Sequence, residues 1–121
     1  MTIAYWIIAG LTALIFVAAG IFKLTQPKDV LKDKGLAWTE DYSARAVKGI
    51  AAVEVAGALG LILPAATGIL PFLAPLAGLG LAVIMALAIR MHRRRKESIV
   101  ANVVLGALAI ASAVLGVIVW L

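Results

Sequence analysis

The sequence predicts an all-α integral membrane protein, a four-helix antiparallel bundle with both termini on the outer side (N-out, C-out). Three observations carry this expectation. Of the 121 residues 64% are hydrophobic and the mean hydropathy is +1.12, against about 45–50% apolar in ordinary soluble domains. Four apolar stretches are each about long enough to cross a hydrocarbon core as a helix, which takes roughly 20 residues. The eleven Lys and Arg residues fall into two short blocks, Lys23 to Lys48 and Arg90 to Lys96. Basic residues accumulate on the cytoplasmic side of membrane proteins, so their placement gives orientation as well as helix count.

The predicted elements make a single transmembrane domain over residues 1–121. The first span covers about residues 3–22, with Tyr5 and Trp6 near one end, where aromatic belts sit, and Lys23 at the other. It follows no basic n-region and reaches Phe22 without a convincing small-x-small cleavage site, so it reads as a retained helix and not a signal peptide. The second span, about residues 44–63, is expected to stop at Pro64, because proline cannot continue a helix. The third covers about residues 71–91, with Pro71 and Pro75 in its opening turns, where missing N–H groups cost least. The fourth covers about residues 99–121, with Trp120 at its far end.

The uncharged connection from Pro64 to Leu70 reads as a tight turn on the outer face. The two charged connections, about residues 24–43 and 92–98, read as cytoplasmic loops. In the longer one, Pro27, Gly35 and four acidic residues (Asp29, Asp33, Glu40, Asp41) mix with the lysines. Val30, Leu31, Leu36 and Trp38 there form an apolar edge. That edge reads either as a short surface helix anchored at the interface by Trp38 or as a lid or docking loop.

Small residues recur at helical spacing in spans three (Ala74, Gly78, Ala82, Ala86) and four (Asn102, Gly106, Ala109, Ala113, Gly116). Such stripes let backbones approach closely in lipid. They serve packing inside the bundle or contacts between copies of the chain.

Composition removes several chemistries. There is no cysteine and one histidine, which excludes disulfides, thiolate zinc sites, iron–sulfur clusters and bis-histidine haem ligation within one chain. The net charge of +5 reads as a topology signal and secondarily as affinity for anionic lipid, with no nucleic-acid role.

Glu54 is the one acidic residue inside a predicted span. Seven strongly apolar residues in that span each favour insertion by about 0.3–0.6 kcal/mol, while a central charge costs about 3 kcal/mol. The two nearly cancel, so span two needs a partner for Glu54 or a proton on it. Ala51, Gly57 and Ala58 share its helical face, which marks that face as the packed one. Lys23, Arg90, His92 and Asn102 lie in the same half of the membrane on the other spans and are the candidate partners. Two readings stand side by side. One is a polar pocket opening toward the cytoplasm, with Lys23, Glu54, His92 and Asn102 as ligand-binding residues. The other is a structural salt bridge that holds the bundle together. His92 is also the group poised to change charge near neutral pH, or else a solvated neighbour of Arg93–Arg95. The Arg93 to Lys96 run reads as a membrane anchor.

The run from Gly49 to Pro64, containing Glu54, and the run from Pro71 through Gly78 and Met85 to Arg94, containing His92, resemble the second and third helices of the DoxX-like family. Ala19 to Leu24 and Asn102 extend the resemblance to the first and fourth. It implies a small four-helix protein of the bacterial inner (plasma) membrane, from a family named for its similarity to the membrane subunit of a thiosulfate:quinone oxidoreductase. Lys23, Glu54, His92 and Asn102 match the family's polar positions. Without cysteine, thiosulfate oxidation by a protein thiol is excluded.

Three functional readings follow. The first is a redox-associated subunit binding a lipophilic, quinone-like molecule, with His92 and Asn102 as donors and Glu54 as proton acceptor or as the group orienting His92. The second is a non-catalytic anchor or accessory subunit whose basic loops dock a larger membrane or peripheral complex. The third is a small oligomeric transporter. Nothing in the sequence assigns catalysis to the chain alone.

Overall fold

The computed structural model describes residues 1–34 and 36–121; Gly35 of the sequence-predicted loop lies outside them. The described chain is all helical: α1 (Thr2–Thr25), α2 (Lys28–Asp33), a 3₁₀ turn (Ala37–Asp41), α3 (Ala44–Thr67), α4 (Leu73–Arg94) and α5 (Val100–Trp120). The helices α1, α3, α4 and α5 are long and apolar enough to cross a membrane.

These four close a ring in which α1 packs on α3, α3 on α4, α4 on α5 and α5 back on α1. Every seam is antiparallel. Across α1 and α3, Tyr5 donates from its hydroxyl to the Leu61 carbonyl while Lys23 meets Glu54. Across α3 and α4, Gly57 faces Leu81 and Gly60 faces Ala77. Across α4 and α5, Pro75 lies on Gly116 and Met85 on Gly106. Across α5 and α1, Trp120 stacks edge-on against Tyr5 (5.3 Å), and Thr12 bonds Ser112 (3.4 Å) in the buried centre.

The packing is the inverse of a soluble core. Ala9, Ala51, Ala58, Ala74 and Ala109 are fully buried, while Ile3, Ile7, Leu14 and Leu87 are each more than 60% exposed. In water this arrangement would leave the apolar drive unused; in lipid, small residues inside give close backbone contact and large ones outside face the acyl chains. The small-residue stripes serve the bundle interior accordingly. A Cβ at Gly78 would lie 3.0 Å from the Ala109 carbonyl oxygen and from the Ala113 nitrogen. Ala86, however, falls on the outer surface.

Two local expectations are corrected. Pro64 does not end the second span: α3 continues to Thr67 and is closed by Gly68 in the left-handed conformation (φ 73°), whose N–H bonds the Pro64 carbonyl. A proline removes the N–H that would bond the carbonyl four residues back, here that of Gly60; the last turn is closed beyond it by the Gly68 cap and by the Thr67 hydroxyl, which donates to the Leu63 carbonyl (2.7 Å). The third span starts at Leu73, not at Pro71; Pro75 occupies its third position, where the N–H it lacks has no helical partner in any case. Ser43 caps α3 by accepting from the Ala46 N–H (3.0 Å).

The apolar edge of the loop after α1 faces the bundle. Leu31 (1% exposed) and Trp38 (7% exposed) turn inward and pack with Val47, Phe22, Ile50 and Met91 across the end of the bundle. Trp38 sits at the centre of a lid over the apolar opening that the ring of helices leaves at this end.

A candidate intramembrane binding site

Beneath that lid lies a cavity of about 490 Å³, walled by all four long helices. Its polar lining includes Lys23 from α1, Glu54 from α3, His92 from α4 and Asn102 from α5; Phe16, Met85, Met91 and Leu105 are among its apolar walls. Trp38 and Tyr42 close it from the loop side.

The Lys23 Nζ lies 2.5 Å from Glu54 Oε1, and the two side chains are 10% and 3% exposed. Helix geometry brings them together. Side chains tilt toward the N-terminus of their own helix, so on antiparallel helices Lys23 and Glu54 lean toward each other from different levels. Gly20, one turn before Lys23, makes the approach close enough: a Cβ there would collide with Val55 and stand 3.1 Å from the Ala51 carbonyl. The ammonium also sits 5.8 Å from the centroid of the Trp38 ring, a cation–π distance.

His92 pairs elsewhere. Its Nδ1 is 2.8 Å from Glu97 Oε1. The chain reverses just after α4: Lys96 adopts a left-handed conformation (φ 57°) and the Glu97 N–H bonds back to the His92 carbonyl (2.8 Å), which carries the Glu97 side chain onto the ring. The Trp38 ring stands edge-on to His92, with centroids 6.5 Å apart. Asn102 makes one side-chain contact among the described residues, donating to the Met85 sulfur at 3.7 Å. Thioether sulfur is a weak acceptor, so this bond uses little of the amide's hydrogen-bonding capacity.

Of the sequence-predicted partners of Glu54, the structure joins Lys23 to it and directs His92 to Glu97. Arg90 is exposed on the outside of α4, on the opposite side from Met85, Ala88 and His92, and takes no part in the cavity lining.

Sequence reasoning missed Arg95 and its partners. Its guanidinium reaches Asp41 Oδ2 (2.5 Å), Glu40 Oε1 (2.9 Å) and Glu97 Oε2 (3.2 Å), and Lys32 adds a second cation to Glu40 at 3.1 Å. Arg95 thereby clasps the lid to the end of α4. The bond from Arg95, reinforced by Lys32, holds the Glu40 carboxyl below its usual range. The bond from His92, with Arg95 behind it, does the same for Glu97. The carboxylates in turn raise the Arg95 guanidinium further, so its charge is permanent.

Four membrane-length helices around a lidded polar cavity define a multi-pass membrane protein whose interior chemistry is gathered at one end of the bundle. The chain belongs to the DoxX-like family, whose model matches residues 7–117. Neither a curated protein nor a solved structure matches it.

Proposed function

We propose that this protein is a redox-associated subunit of the bacterial inner membrane that holds a lipophilic, quinone-like molecule in the cavity beneath Trp38. The observation that carries the reading is the cavity itself. Its volume of about 490 Å³ lies within the roughly 300–1,000 Å³ of small-molecule sites, and such sites are mostly apolar with a few placed polar groups. Met85, Met91 and Leu105 suit a ring or an isoprenoid stem, and Asn102 offers an amide to a carbonyl headgroup. Lys23 and Glu54 neutralise each other, so the site favours an uncharged guest. Glu97 holds Nδ1 of His92, which leaves Nε2 to hydrogen-bond a ligand headgroup.

The test is the lipophile content of protein purified in mild detergent, measured for wild type, His92→Ala and Asn102→Ala at matched thermal stability. Retention by wild type with loss in the variants supports the reading. Empty wild type attached to a stoichiometric membrane complex refutes it and favours the accessory-subunit reading, to which the exposed Lys34 and Arg45 give a basic docking surface.

A further inference from the structure

The ion pairs of this chain leave part of its positive charge uncommitted. Glu54 is taken by Lys23, Glu97 by His92 and Arg95, Glu40 by Arg95 and Lys32, and Asp41 by Arg95. Among the described residues no carboxylate pairs with Arg90, Arg93 or Arg94, although these three follow one another along the outer face of α4. They border an open groove of about 520 Å³ whose remaining walls are Ala86 and Ile89. The five positions are spaced by three and four residues, so they form one helical face.

We infer that this groove is a binding site for the headgroup of an anionic phospholipid at the basic end of α4. Guanidinium is a planar fork that matches phosphate oxygens two at a time, and basic pockets at the ends of membrane helices take such headgroups. Ala86, a short exposed side chain, lies one turn before Arg90 toward the middle of α4, near the exposed Val83 and Leu87. A phosphate held by the arginines thus has room for its acyl chain directly along the helix. The site faces outward and is separate from the cavity under Trp38.

The experiment is native mass spectrometry of the full chain from nanodiscs of equimolar phosphatidylcholine and phosphatidylglycerol, reading the ratio of the two lipids retained. Each arginine near an anionic surface contributes roughly fivefold, and the three together about a hundredfold, in favour of the anionic lipid. The triple variant Arg90→Gln, Arg93→Gln, Arg94→Gln is expected to fall to near parity, while Lys34→Gln with Arg45→Gln keeps the preference. Ala86→Phe keeps every charge and fills the groove at an exposed position, so it should lose the retained lipid while folding normally; it carries the test if the triple variant does not fold. Parity in wild type overturns the inference. So does a preference that survives Ala86→Phe, or an equal loss in the Lys34, Arg45 control, which would mean diffuse surface charge.

Discussion

Lys23 and Glu54 form a buried ion pair, 2.5 Å apart, that joins the C-terminal turn of α1 to the N-terminal half of α3. Neither charge has another ionic partner among the described residues. Removing one member of a buried pair typically costs about 3–5 kcal/mol, because the other is left unpaired. Glu54→Ala is therefore expected to lower the melting temperature in detergent more than Glu54→Gln, which retains shape and a hydrogen-bond acceptor. The double variant Lys23→Met, Glu54→Leu should melt above either single truncation. Near-neutral melting of Glu54→Ala would show that the pair contributes nothing to the bundle.

The α4–α5 seam is set by backbone contact at Gly78, where a Cβ would meet the carbonyl and amide groups of Ala109 and Ala113. Backbone cannot give way as a side-chain tip can, so Gly78→Val is expected to cost more than the roughly 1–3 kcal/mol of ordinary overpacking. At Gly10 no atom lies within 4 Å of the place a Cβ would occupy, and Gly10→Ala should be neutral or slightly stabilising. Thermal unfolding of the two variants in the same detergent checks the contrast.

The Arg95 clasp should open in acid. Glu40 and Glu97 titrate below their ordinary range in the folded protein. A carboxylate of this kind stabilises the native arrangement above its unfolded pKa, about 4.3, and loses that contribution as pH falls through the lower native value. The lid is thus fully clasped at neutral pH and loosens below about pH 4. Trp38 fluorescence in a Trp6→Phe, Trp120→Phe background reports it, shifting to the red in acid as the ring becomes wet. Arg95→Gln should show the shifted emission already at neutral pH; an emission unchanged by either acid or Arg95→Gln would mean that the clasp does not hold Trp38.

Orientation is testable by labelling, since the chain has no native thiol. The basic residues predict that loops 24–43 and 92–98 face the cytoplasm. Cysteine introduced at Thr67 should react with a membrane-impermeant reagent in intact cells, and cysteine at Lys34 only after lysis. The opposite pattern inverts the topology.

The four long helices and their antiparallel order are legible in the sequence because the apolar runs and the charge blocks are both one-dimensional signals. The end of α3 is not: Pro64 is a local stop sign, overridden by Gly68 and Thr67 a turn later. The cavity residues were reachable from topology, which puts Lys23, Glu54, His92 and Asn102 in one half of the membrane. The 3.6-residue period separates Arg90 from His92, since Met85, Ala88 and His92 share a face that Arg90 does not. The inward turn of Trp38 and the bonds from Arg95 to Glu40 and Asp41 left no such trace. They join segments more than fifty residues apart, and a loop side chain acquires its direction only from the surface beneath it.

The position of Lys23 on the first helix also bears on how the protein is made. A nascent α3 carrying Glu54 is near balance between water and lipid, and its counter-charge belongs to a segment translated earlier. The ribosome delivers α1 before α3, so the ammonium is already waiting at the translocation channel when the carboxylate arrives. The order of synthesis therefore suits the pair: the segment that needs a counter-charge follows the one that supplies it. A chain with the two charges exchanged would keep the finished pair but would present the acid first, with no partner yet synthesised.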